Sequence, residues 1–200
     1  MITTAFLSQY HLSAKKVEQY LIKHELGKYG SPSSSDSQNE YVYYQGETLC
    51  LFYRQYASPN ISWINFNEIE QTIIHCIYTR HHDGFVRQKH LNLLTDTKYP
   101  DIAVPFVIRL LGEYVLEIQL DTAPFIQRHP KIIADFIQQN PVFWQRQKSR
   151  MASYWDIYYR SMHATANQKF RIIENWKYYP ARQLLLDIDN LVKSKSQTMN

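Results

Sequence analysis

Apolar residues recur at three- and four-residue intervals along most of the chain from Asn65 onward, a period that predicts helices and not strands. Ile69, Ile73, Cys76 and Ile77 form one stripe, with Asn65 followed by Glu68 in the spacing of a capping box ahead of it. Asp83 is placed to cap the next helix, which carries Val86, Leu91, Leu93 and Leu94. A further helix opens at Asp101 or Val104, takes Pro105 in its first turn and runs to about Asp121. It is apolar nearly all round, so burial from several sides is expected. "PKIIADFIQQN" gives a short helix between two prolines. "PVFWQRQKSRMASYWDIYYRSM" is long, with Trp144, Met151, Trp155, Tyr158 and Met162 at helical spacing. "NQKFRIIENWKYY" and "PARQLLLDIDNLVKS", the second beginning at Pro180, complete the set, and residues 195–200 read as a frayed tail.

The first quarter is less regular. A helix within residues 1–26 starts at the N-cap candidate Ser13, carries Val17, Tyr20 and Leu21 on one face and stops at Gly27. Residues 27–40, "GKYGSPSSSDSQNE", are rich in serine, glycine and proline and too polar to offset the entropy of ordering, so they predict a flexible linker. Residues 41–56 admit two readings. Aromatics around "QGE" fit a hairpin, whereas Leu49, Phe52, Tyr53 and Tyr56 fit a helix face. The helix is favoured, because nothing else supplies strands for a hairpin to join. The expectation is an all-α fold, an irregular antiparallel helical stack over residues 41–194, as a single domain behind the N-terminal linker.

Composition refines this picture modestly. Of 200 residues 44% are hydrophobic and 20% charged, ordinary for a soluble globular chain. Only 5 glycines and 8 prolines leave little material for the tight turns of a sandwich or barrel. The net charge of +4 is a mild bias toward anionic partners. Two cysteines, Cys50 and Cys76, are too few for a disulfide scaffold and suggest a reducing compartment. The start lacks a basic segment ahead of an unbroken apolar run, so no signal peptide is expected. The most apolar run, "IAVPFVI", is too short to span a membrane. Cytoplasmic localisation, away from membranes, follows as the expectation.

The stretch "YTRHHDGFVRQKHLNLL" holds three histidines, an aspartate and two arginines beside an apolar set. A helix ending at Arg80, a turn at "HHD" and a helix opening at "DGFVR" resemble the centre of a HEAT-like repeat of the armadillo/HEAT superfamily, over about Asn65 to Leu94. The resemblance implies that Asp83 caps the second helix, Val86 enters the core, and Arg87 reaches a neighbouring acidic group or carbonyl. It also implies a stack of helices that binds another macromolecule. It implies no chemistry.

Three constellations could carry chemistry. His82 and Asp83, with His81, could form a metal-binding dipeptide, helped by His75, His90, Asp96, Asp101 or Asp121; a polar turn with an aspartate cap is the stronger reading. Glu113 and Glu117 sit one turn apart on the predicted helix, after Arg109. Structural pairing, Arg109 with Glu113 and Glu117 with a base such as Arg87, outweighs catalysis. Arg146, Lys148, Arg150, Tyr159 and Arg160 interleave basic and aromatic side chains, as phosphate contact and base stacking require. No nucleophile elbow, P-loop, dinucleotide fingerprint or Cys-x-x-Cys is present.

The leading expectation is a non-enzymatic protein-binding module, an adaptor or inhibitor that needs no cofactor. Tyrosine and tryptophan are abundant, with 16 and 4 copies, and both favour interfaces. The alternatives are a HEAT-like nucleic-acid binder, in the manner of repair glycosylases, and a metal-dependent hydrolase using His82 and Asp83.

Overall fold

A computed structural model describes residues 2–24, 27–28, 39–160 and 175–198. The chain is all-α in class, with short strands near its start, and divides into two compact units, Met1–Val107 and Ile108–Asn200.

In the first unit a 3₁₀ turn, Ile2–Ala5, leads through a second, Ser8–Tyr10, into α1, His11–Lys23. The 3₁₀ turn feeds the helix directly, so α1 starts before Ser13 and has no side-chain cap. Ala14, Val17 and Leu21 are its buried face. α1 ends at Lys23, ahead of the expected stop at Gly27. Gly27 and Lys28 instead form β1, antiparallel to β4, Tyr56–Ala57. Residues 29–38 of the expected linker lie outside the described residues, and its last residue, Glu40, is buried in a strand rather than in the linker.

Residues 41–56 are not helical. β2, Glu40–Tyr44, and β3, Glu47–Leu51, form an antiparallel hairpin. Gln45 and Gly46 make its two-residue turn with φ of +50° and +88°, the left-handed pair that matches the twist of the strands. Val42, Tyr44, Leu49 and Leu51 face the core while Tyr41, Tyr43 and Thr48 face solvent. The expectation failed because it assumed that a hairpin needs a larger sheet. Here the Ile2–Ala5 turn packs on β3, and Phe106 lies 5.3 Å from Phe6 and 6.0 Å from Phe52, ring to ring. Cover of one face by helical elements suffices.

α2, Glu68–Tyr78, packs against α1 and against α3, Gly84–Leu94. Its capping box is Asn67 with Glu70, each accepting the other's backbone N–H at 3.0 Å, and not Asn65 with Glu68. Asn65 is occupied in a 3₁₀ turn, Trp63–Asn65. Glu70 is buried and pairs at 2.8 Å with Lys16 of α1, so one carboxylate both caps α2 and ties it to its neighbour. Ile73, Cys76 and Ile77 are buried as the stripe required, and Ile69 is half-buried.

α4, Pro100–Leu110, straddles the division between the units. Pro105 is its sixth residue and not a first-turn residue, so the Asp101 carbonyl loses its helical donor. The expected single helix to Asp121 breaks after Leu110. Leu111, Gly112 and Glu113 close the end with bonds of 3.1–3.2 Å back to Ile108, Arg109 and Leu110, at the site of a glycine with poor helix propensity. α5, Leu116–Leu120, resumes beyond it.

The second unit continues with α6, Ala123–Arg128; α7, Pro130–Gln139; α8, Pro141–Tyr158; and α9, Pro180–Thr198. α7 packs against both α8 and α9, and α5 also meets α9. Phe125, Phe136, Phe143, Met151, Leu185 and Ile188 fill the core between them. Residues 161–174, which hold Met162 and the first eight residues of the helix expected over 167–179, lie outside the described residues; Trp176–Tyr178 is a 3₁₀ turn. Residues 195–198, expected to fray, continue α9. Lys195 pairs with Asp135, and Gln138 donates to Ser196 Oγ at 3.1 Å, which holds that end against α7.

Candidate functional site

The "HHD" turn is stitched together by its own side chains. Asp83 Oδ1 accepts the Phe85 N–H at 2.8 Å, capping α3, and His81 Nδ1 accepts the Asp83 N–H at 3.0 Å. Arg87 donates to the carbonyls of His81 and His82 at 2.8 and 2.9 Å. The turn also bridges to the segment before β4: Gln55 N–H meets the Arg80 carbonyl, and His82 N–H the Gln55 carbonyl, both at 2.8 Å. His82 is exposed and stacks on Tyr56, ring centroids 4.9 Å apart.

Two residues of this motif exchange roles. Val86, expected in the core, is only half-buried, whereas Arg87 is fully buried. The reason is geometric: the guanidinium must reach carbonyls on the inner side of the turn, and that places the Arg87 stem inward. Among the described residues no group of three or more His, Cys, Asp and Glu side chains converges to hold a metal.

Glu113 and Glu117 do not share a helix face. Glu113 is buried in the turn after α4, and Glu117 is exposed on α5, where its carboxylate makes no ion pair among the described residues. The carbonyl of Glu113 accepts from Gln119 Nε2, and Gln119 Oε1 accepts from the Tyr179 hydroxyl at 2.8 Å. The turn is thereby tied to the start of α9.

The five residues chosen on α8 and just beyond it divide between directions. Lys148 reaches α9, where Asp189 accepts it at 3.2 Å. Asp189 also accepts the Trp144 indole N–H at 2.7 Å, and the Lys148 ammonium lies 5.5 Å from the Trp144 ring centroid. Arg160 pairs with Asp156 at 2.7 Å and lies over Trp155. Tyr159 turns toward α5; its hydroxyl donates to the Tyr114 carbonyl and accepts the Leu116 N–H, both at 3.0 Å. Arg146 is exposed and Arg150 half-buried.

Two features escaped the sequence reading. Tyr114, Tyr154 and Tyr158 cluster with ring centroids 5.8–6.2 Å apart, and Ile157 beside them is exposed. The i, i+4 spacing of Tyr154 and Tyr158 was a signal; Tyr114, forty residues earlier, gave none. Between α8 and α9 an open pocket of about 340 Å³ is lined by Ala152, Trp176, Arg182, Leu185 and Leu186, and Lys148 and Asp189 also line it. The second unit carries 13 Lys and Arg against 8 Asp and Glu, net +5, while the first carries 9 against 10. No helix among the described residues is long and apolar enough to cross a membrane.

No family model, curated protein or solved structure matches this chain.

Proposed function

We propose that the protein is a non-enzymatic protein-binding module, an adaptor or inhibitor built on a HEAT-like helical scaffold and acting in the cytoplasm. The observation that carries this reading is the partly exposed cluster of Tyr114, Tyr154 and Tyr158 on the second unit. Tyrosine presents a large amphipathic ring with few rotamers to freeze, which suits it to the centre of an interface. Two of the cations that would serve a nucleic-acid surface, Lys148 and Arg160, already face carboxylates in their own unit.

The net charge of +5 on that unit favours nucleic acid as the second reading. A pull-down with affinities measured across a salt series separates the two. Under the protein reading, the partner stays bound at high salt and survives neutral substitution of Arg146, Lys148 and Arg150 together. Tyr154→Ala with Tyr158→Ala then weakens it by about tenfold or more. A steep salt slope that flattens in the triple variant, with nucleic acid in the eluate, would reverse the order, because phosphate contacts release counterions.

A further inference from the structure

We propose that the pocket between α8 and α9 takes an acidic, apolar-flanked segment of a partner protein, with the segment's carboxylate on Arg182 and its apolar neighbour against Trp176. This rests on the protein-binding reading and adds to it a second contact point and the chemistry of the partner.

The pocket combines opposites. Ala152, Leu185 and Leu186 give it apolar lining, and Trp176 adds an aromatic wall that is itself held by neighbours, 5.4 Å from Trp155 and 5.6 Å from Tyr179 between ring centroids. Arg182 supplies the charge. It is half-buried, and among the described residues its guanidinium makes no hydrogen bond and no ion pair. That sets it apart from Lys148, the other cation of the lining, which Asp189 neutralises.

A guanidinium offers paired N–H donors in the geometry of a carboxylate, and a partly desolvated pocket strengthens that match. The volume of about 340 Å³ is at the lower end of small-ligand sites, enough for one or two side chains and too small for a folded surface. The net +5 of the unit draws an acidic segment toward it. A nucleic acid is the poorer fit. Among the described residues Arg182 is the one lining cation that no carboxylate faces, which is too little to track a phosphate backbone, and the Asp189 carboxylate shares the lining.

The test uses the full chain and a dye-labelled peptide with the core Glu-Leu-Asp-Phe, read by fluorescence anisotropy. Controls are the same peptide with Gln and Asn in place of its acids, and a single-stranded oligonucleotide of six phosphates. The acidic peptide binds, and the neutral one binds at least about tenfold more weakly, a difference of roughly 1.4 kcal/mol. Arg182→Gln removes that preference while circular dichroism stays unchanged, Arg182→Lys restores part of it, and Ala152→Phe blocks both peptides by adding a ring to the lining. Equal affinity for both peptides, or an acidic preference that survives Arg182→Gln, would overturn the proposal. Tighter binding of the oligonucleotide, lost in Arg182→Gln, would assign the pocket to nucleic acid instead. If no peptide binds but the native protein partner is held through Tyr154 and Tyr158, the pocket proposal fails and the protein-binding reading stands. If no protein partner is held in any variant, the broader reading fails with it.

Discussion

His75 of α2 and His90 of α3 meet with their Nδ1 atoms 3.0 Å apart, so one ring donates its N–H to the other's lone pair. Trp63 lies 5.0 Å from the His75 ring and Tyr78 stacks on His90 at 4.8 Å, closing the pair in aromatic surface. This bond crosses the α2–α3 hairpin at its centre, and it holds only while the two rings share a single bridging proton.

Acid should therefore weaken the first unit. Burial, then the Lys89 charge, lowers His75 from 6.5 to about 4. Burial, then His75, Lys89 and His81, lowers His90 to about 3. Below pH 6.5 the unfolded chain takes up protons that the folded chain refuses, so stability falls as pH drops from 6.5 toward 3. Well above 6.5, where both states are deprotonated, the pair adds no pH dependence. Urea midpoints measured at intervals from pH 7 to pH 4 should show this slope, and His75→Phe with His90→Leu should make it shallower. An identical slope in both proteins would refute the assignment.

The buried residue of the "HHD" motif is the arginine. Arg87→Met removes both hydrogen bonds to the His81 and His82 carbonyls and should cost about 2–4 kcal/mol. Val86→Asp at a half-buried position should cost less, because its carboxylate can reach water. Chemical denaturation of the two variants side by side decides it; a larger loss for Val86→Asp would restore the valine as the core residue. His82→Ala removes a ring on the surface and should stay within about half a kcal/mol.

Gly46 sets the register of the β2–β3 hairpin. At φ +88° an added Cβ meets no atom within 4 Å, so Gly46→Ala tests backbone strain without steric clash. A cost of about 1 kcal/mol is expected from the left-handed conformation alone. Gln45→Asn, which suits φ +50° better, should stabilise by a few tenths of a kcal/mol. No change in the urea midpoint on Gly46→Ala would mean that the turn relaxes without penalty.

Asp189 holds Lys148 in the lining of the α8–α9 pocket. The pair is partly exposed, so Asp189→Asn should cost under about 1 kcal/mol in stability, and the Asn oxygen can still accept the Trp144 indole N–H. Freed of its carboxylate, Lys148 becomes a second unneutralised cation in the lining with Arg182. Affinity for the acidic peptide should rise about threefold or more. A fall in that affinity, measured by the same anisotropy titration, would place Lys148 outside the pocket's working charge.

The residue pattern by itself determined the helical class and several helix starts. Pro130, Pro141 and Pro180 each open a helix where the sequence put them, because a first-turn proline fixes the backbone and loses no bond. Asp83 likewise caps α3 through an atom only two residues away. These are local effects, complete within a turn of chain. The tertiary structure decided what depends on partners far along it. Residues 41–56 had aromatics for either a helix or a hairpin, and the Ile2–Ala5 turn and Phe106 selected the hairpin by covering one of its faces. Helical spacing placed Val86 inward, but the carbonyls of His81 and His82 drew Arg87 in and left Val86 half-exposed. Lys148 read as a free cation until Asp189, 41 residues on, came to face it, whereas no carboxylate among the described residues faces Arg182. Periodicity reports which face of an element is apolar; which charges meet is fixed only by how helices far apart in the chain pack.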